Sequence, residues 1–334
     1  MTKTNKLVRL FEEFANRKSL LILNFDPVSV STPGTEDEYA RGHKRADTLL
    51  IELAAEKGID AVSLQYEKVV IDGEEIYIGE KRLCDFDYVI VGMMAKKTEI
   101  VNPILQYLEK HGVLYFEYGT PSDRGNKMQD MYNLIQAGLP YVPSFVSASS
   151  SEAVKYVNNH WKGEYPVVCK VMNASQGDGV SKCDSAEELK KAFDDVKDPS
   201  YEDFRMVQKF IPNDGDYRVL IFCDQIIAIA KRVSKDLKKE FRNNMSKGGR
   251  GFVADLPQEV SQIALDSAKI LDKQMAGVDL IQDKETGDWF IMEVNSAPQY
   301  HYFQEISGVD FPQMLIDKIY SELYGTTRIS AQRP

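Results

Sequence analysis

The chain is poor in the features that would place it in several large functional classes. Its four cysteines, Cys84, Cys169, Cys183 and Cys223, are scattered with no CxxC pair, which favours reduced thiols and disfavours zinc. No apolar run approaches the roughly 20 residues that cross a bilayer, and the short LLIL near the N-terminus is too brief for a signal segment. A cytoplasmic protein with no membrane partner is expected. GxSxG does not occur and the four histidines do not cluster with a nucleophile, which disfavours a serine or cysteine hydrolase. No GxGxxG follows the first apolar strand, where Asn24-Phe25-Asp26-Pro27 stands, and no glycine loop ends in the GKS/T of a P-loop. Basic excess is missing too: a net charge of −10 argues against a nucleic-acid partner. Internal repeats and low-complexity tracts are absent.

What remains is an ordinary globular composition, 43% hydrophobic over 334 residues, enough for two or three packed units. The first 120 residues alternate strands and helices: strands at 20–25, 61–64, 87–91 and 113–116, helices at 40–57 and 98–111. This pattern predicts an open, mostly parallel α/β unit. From 121 to 205 the chain reads as a small α+β unit with helices at 126–136, 151–161 and 185–196 and a strand at 204–211. A third unit, 206–326, holds strands at 217–223 and 225–230, a helix from 259 to 275, an acidic hairpin and a last helix at 311–323; 327–334 is a tail.

The hairpin carries the sharpest chemistry. Gly277 to Ile281 and Phe290 to Asn295 alternate apolar with polar, and the intervening 283–288 has turn composition. Asp279 should therefore face the second strand, on which Glu293 and Asn295 share a side because they are two residues apart. Two acids and an amide suit Mg²⁺, which takes few carboxylates and completes its shell with substrate phosphates; Mn²⁺ is the alternative ion.

Other segments supply matching parts. Lys170 projects from the apolar strand VVCKV, which leads into a turn containing Ser175, Gln176, Gly177 and Gly179. A lysine on such a strand calls for an anion, and two glycines let backbone N–H groups approach phosphate oxygens. Lys127 opens a helix, where the dipole disfavours a cation unless a phosphate docks there. In VQKFIPNDGDYRV, backbone at Gln208, Lys209 and Phe210 suits an adenine edge, Asp216 suits ribose hydroxyls, and Arg218 shares its strand face. Arg232, with Arg242 and Asn244 in the basic FRNNMSKGG, suits a transferred phosphoryl group. Taken singly, each segment also reads as an ordinary solvated turn or strand edge.

In this order the pieces resemble the ATP-grasp superfamily, most closely RimK-type ligases that attach glutamate to a protein carboxylate. FRNNMSKGG is similar to that family's FRxNxxxGG, AGVDLI…FIMEVNSAP to AGVD(I/L)…MEVN(A/S)xP, SQGDGV to TQGxGV, VQKFI to VQEYI, and GVDF to TGIDI. The resemblance covers about residues 120–325, with the first part matching as a pre-ATP-grasp α/β domain. It implies an ATP-grasp fold of two α+β subdomains gripping ATP, and an ATP-dependent carboxylate–amine ligase acting through an acyl phosphate. Lys127, Lys170, Ser175, Gln176, Gly177, Gly179, Gln208, Lys209, Phe210, Asp216 and Arg218 would hold nucleotide, Asp279, Glu293 and Asn295 the metal, and Arg232, Arg242 and Asn244 the reacting groups. The substrate would be an amino acid, peptide or protein tail, and a homo-oligomer is common among such ligases. Two departures stand out: Lys209 replaces a usual glutamate, and QYHYFQEISG is closer to graspetide (microviridin-type) peptide ligases. An ATP-grasp kinase and a non-catalytic nucleotide-binding regulator are the alternative functions.

Overall fold

The computed structural model describes residues 17–23, 46–92, 98–118, 127–172, 179–195, 204–234, 243, 250–296, 298 and 300–325. The chain divides into two compact units, Met1–Ser122 with Asp310–Pro334, and Asp123–Val309.

The first unit is built on a parallel four-stranded sheet in the order β2-β1-β6-β7, formed by β1 (Ser19–Leu23), β2 (Asp60–Leu64), β6 (Tyr88–Val91) and β7 (Leu114–Glu117). Parallel neighbours need long crossovers, which here contain α1 (Ala46–Glu56) after β1 and α2 (Thr98–His111) after β6. Such a sheet is covered on both faces, so its central strands are apolar throughout; Leu20 to Leu23 and Val89 to Val91 are fully buried. Between β2 and β6 the chain inserts a small antiparallel sheet, β3 (Val69–Ile71), β4 (Ile76–Ile78) and β5 (Lys81–Arg82). Helix α8 (Phe311–Tyr324) packs on α1 within this unit. It is capped by Asp310, whose carboxylate accepts from Gln313 N at 3.1 Å, and stopped by Gly325 at φ 68°. The sequence alone runs the third region through this helix; its packing partner α1 lies far earlier in the chain, which local pattern does not reveal.

The second unit holds two antiparallel sheets. The smaller, β10-β9-β11-β8, is formed by β8 (Ser144–Ser147), β9 (Val167–Val171), β10 (Val180–Cys183) and β11 (Arg205–Lys209). Helices α4 (Ser150–His160) and α5 (Ala186–Asp194) close its core, which includes Val157, Trp161, Leu189, Phe193 and Val207. Ser149 and Ser185 cap them by accepting from the amides of Glu152 and Glu188. The larger sheet, β14-β13-β12-β15-β16, contains β12 (Asp216–Phe222), β13 (Gln225–Val233), β14 (Arg250–Val253), β15 (Met275–Gln282) and β16 (Trp289–Asn295). Its core shares Val219, Val278 and Ile291 with Met131 and Leu134 of α3 (Lys127–Gln136) and Ala264 and Ala268 of α6 (Gln258–Ile270). Helix α6 ends five residues before the expected 275, because the chain reverses at Asp272 (φ 51°) and Met275 already belongs to β15. A further helix, α7 (Tyr300–Ser307), occupies the aromatic run that follows β16.

Candidate active site

The charged residues of the larger sheet face one another across strands. Arg232 on β13 is the register partner of Asp216 on β12; Arg218 on β12 is that of Asp279 on β15; and Asp279 is that of Glu293 on β16. Opposite charges directly across a ladder attract. Arg218 donates to Asp279 through Nε and Nη2, both at 2.6 Å, while Arg232 Nε reaches Asp216 Oδ1 at 2.6 Å and its Nη2 lies 3.1 Å from Asp279 Oδ1. The fork–fork geometry of the first pair adds direction as well as energy. Only 3–5% of Asp216, Arg232 and Asp279 is exposed, so these charges persist by pairing. Burial alone would raise Asp279, yet the charges of Arg218 and then Arg232 outweigh it and hold the carboxyl below its usual range. Burial works against the charge on Arg232 as well, and Asp216 and Asp279 restore it, leaving its pKa raised.

Local backbone features open this cluster. A side chain at Gly277 would place its Cβ 2.9 Å from Pro298 Cβ, so glycine is what lets Pro298 pack this closely on β15, beside Arg218, whose Cδ would lie at an ordinary 3.5 Å. The β15–β16 ladder shifts register after Asp279, since Leu280 pairs with Ile291, and the extra residue is Met292. Its carbonyl accepts from Tyr141 Oη at 2.9 Å, and the bulge turns Glu293 relative to the apolar half of the strand. Asn295 Nδ2 lies 3.4 Å from Asp279 Oδ2, so the three predicted oxygen-bearing residues share one face.

Two lysines border that face. Lys127, at the start of α3, places Nζ 3.5 Å from Glu293 Oε1. Lys170 sits on β9, the second strand of the smaller sheet, and its side chain makes no hydrogen bond or ion pair among the described residues. Burial lowers its pKa; Glu293, Asp279 and Asp216 pull the other way, and Lys127 adds to the lowering. An ammonium between carboxylates and another lysine, with its own donors unused among the described residues, has the chemistry to take an anion.

Magnesium can be tested against these residues. Asp279, Glu293 and Asn295 offer two carboxylates and an amide, and Glu293 keeps 31% of its side chain exposed. No group of three or more His, Cys, Asp or Glu able to hold a metal occurs among the described residues, so a dedicated all-protein cage is not built here. That mixed, incomplete donor set fits Mg²⁺ completed by phosphate oxygens and water.

The remaining predicted residues lie elsewhere or outside the description. Ser175, Gln176, Gly177, Arg242 and Asn244 fall outside the described residues; Gly179, at φ 64°, turns the chain into β10 and its carbonyl accepts from Val171 N at 2.9 Å. At the end of β11, Gln208 is buried with Nε2 on Ser144 Oγ at 2.9 Å, and Lys209 points to Glu164 at 2.8 Å and over the Trp161 ring. The amides of Lys209 and Phe210 already donate to the carbonyls of Pro143 and Pro166, at 2.9 and 3.4 Å. The amide of Ile211, one residue past the predicted stretch, makes no hydrogen bond among the described residues. Asn243, between the two predicted residues of the basic loop, is buried and its Oδ1 accepts from Ser234 N at 2.9 Å. Sequence reasoning also passed over Asp130, Lys273 and Ser296, which join α3 to the ends of β15 and β16.

A family model described as a RimK-like ATP-grasp domain matches residues 124–319. A Vibrio cholerae serotype O1 protein named probable alpha-L-glutamate ligase is 30% identical over 281 residues, which span 81% of this chain and 89% of that one. The solved structure of ATP-grasp ligase PsnB complexed with minimal precursor superposes on 92% of this chain and 99% of its own, with a TM-score of 0.64 at 16% identity. Its complex with minimal precursor, Mg and ADP gives a TM-score of 0.60 at 15% identity, over 91% of this chain and 98% of that one.

Proposed function

Because this chain belongs to the RimK-like ATP-grasp family and is an ATP-dependent carboxylate–amine ligase, we propose that the charged face of its larger sheet, with Lys127 and Lys170, is the site where ATP activates the acid. The observation that carries this reading is Lys170, half-buried with no side-chain hydrogen-bonding partner among the described residues and within the field of Asp279 and Glu293. Phosphate oxygens would satisfy its three donors.

Joining an acid to an amine in water is uphill, so the carboxylate oxygen must first attack the γ-phosphorus of ATP, expelling ADP and leaving an acyl phosphate. The amine nitrogen then attacks the acyl carbon, phosphate departs with the bonding pair, and the nitrogen loses a proton. Lys127 and Lys170 would hold the phosphate chain, and the Ile211 amide would orient the base. Arg232 is fixed by Asp216, so we assign Asp216 to positioning that arginine rather than to ribose. Arg232, with Arg242 and Asn244 from the basic loop, would meet the charge that develops on the transferred phosphoryl and on the tetrahedral carbon. Arg218 would orient Asp279. Asp279, Glu293 and Asn295 would hold Mg²⁺, or Mn²⁺ with similar oxygen preference, and the ion supplies charge neutralisation between phosphates when bound.

The acid is assigned to an amino acid, peptide or protein tail. Support comes from the glutamate-ligase name of the Vibrio relative and the precursor-bound state of PsnB. A panel of amino acids and peptides, scored for ADP release and followed by product mass, tests this. A condensed product one water lighter than its parts is expected from the wild type, and no ADP release from Glu293→Ala. A stable phosphorylated product, or full turnover in that variant, would contradict the reading.

A further inference from the structure

Helix α3 meets the acidic strand at two places. Lys127 approaches Glu293 at 3.5 Å, and one turn later Asp130 Oδ2 lies 3.7 Å from Lys273 Nζ. Lys273 also donates to Ser296 Oγ at 2.6 Å. Lys273 stands just before β15 and Ser296 just after β16, so this chain of contacts ties the helix to the ends of both strands that carry the acidic face.

The pair is a poor source of stability. The Asp130 and Lys273 side chains are 10% and 9% exposed, and Asp130 Oδ1 is buried with no hydrogen-bond partner among the described residues. Desolvating two charges at 3.7 Å with one oxygen unsatisfied returns little net energy. Burial pushes Asp130 up to about 6, against the pull of Lys273 and with the Glu293 charge adding to the rise, so the field of the acidic face reaches this helix position. What such a contact supplies is location.

We propose that Asp130 and Lys273 are positioning residues that set the spacing between Lys127 and Glu293, and so between the phosphate-binding cation and the carboxylate that holds the metal. This rests on the site assignment above. It predicts a specific defect: loss of the cooperation between Mg²⁺ and nucleotide, with each partner's own binding preserved.

The test is an equilibrium titration of ADP, with and without saturating Mg²⁺, on the full chain and its Asp130→Asn, Lys127→Ala and double variants. Asp130→Asn keeps the side-chain volume, and Lys273→Met provides a second variant from the other end of the pair. Asp130→Asn should leave the Mg²⁺-free Kd within about twofold and cut the factor by which Mg²⁺ tightens ADP by about tenfold, in the range that outer partners of metal ligands command. Lys273→Met should do the same, and the loss should not add in the Lys127→Ala background. Equal weakening with and without Mg²⁺, or no change in either, would overturn the proposal; so would a full additional loss in the double variant. Lys127→Ala alone leaving ADP binding intact would instead remove the underlying phosphate assignment, a different result from a sensitive Lys127 beside a silent Asp130.

Discussion

Strands β1 and β15 are both interior strands of their sheets and both buried, and they carry opposite chemistry. In β1, Leu20 to Leu23 are wholly apolar and fully enclosed, and nothing there needs a partner beyond close packing. In β15, Asp279 is almost equally enclosed at 5% exposure, and three neighbouring side chains converge on its two oxygens. The first kind of strand gains its energy from area removed from water. A charge in the second returns little of its desolvation cost as net stability and is tolerated only while every partner is present. Burial alone therefore does not separate structural strands from chemical ones; the identity of the cross-strand partner does.

The largest effect that would sharpen this contrast is at Asp279. Asp279→Ala leaves Arg218 and Arg232 facing a vacated position in a dry site and should cost about 3–5 kcal/mol of unfolding free energy together with measurable ADP binding. Urea unfolding and nucleotide titration on the same sample check both halves; a small loss of stability would mean the arginines find other partners. Leu21→Ala in β1 should cost about 2–5 kcal/mol through its cavity, yet leave the ADP Kd of the folded protein unchanged. An altered Kd there would break the division between the two kinds of strand.

A third effect depends on pH. Asp130, raised to about 6 in the folded protein, has an unfolded value near 3.9. Between those values the folded state binds the extra proton, so this group's contribution favours folding at low pH and is lost as pH rises through about 6. The difference in unfolding free energy between wild type and Asp130→Asn should therefore move against the wild type by up to about 3 kcal/mol from pH 4 to pH 7. A difference that stays flat would show that Asp130 is not desolvated as described.

The contrast also explains what was legible in the sequence. Alternation around a turn-forming segment places Asp279 opposite Glu293, and the ladder pairs those two residues. The turn itself closes through Asp283, whose Oδ1 accepts from Glu285 N at 2.8 Å, with Gly287 at φ 82°. The parallel sheet was legible for the same reason, since its strands are short apolar runs between helical patterns. Pairings between distant residues were not. Asp216 reads as a partner for ribose hydroxyls, and only the β12–β13 register shows Arg232 beside it. Lys273 falls inside the expected 259–275 helix with nothing to single it out, and only its approach to Asp130 and Ser296 gives it a role. The strands β3 to β5 have three residues or fewer each, too few for a period to register. The aromatic run after β16 has no capping pattern to announce α7.

Lys170, whose side chain has no partner among the described residues, is the proposed phosphate ligand on which the site assignment turns. Titration of ADP in the presence of Mg²⁺ against wild type and Lys170→Met tests it most directly, since methionine keeps much of the length and removes the charge. Affinity should fall by about 10–100-fold, the worth of a charge-assisted bond, while thermal stability holds or rises because a desolvated ammonium has been removed. Unchanged ADP affinity in a folded Lys170→Met protein would contradict the account.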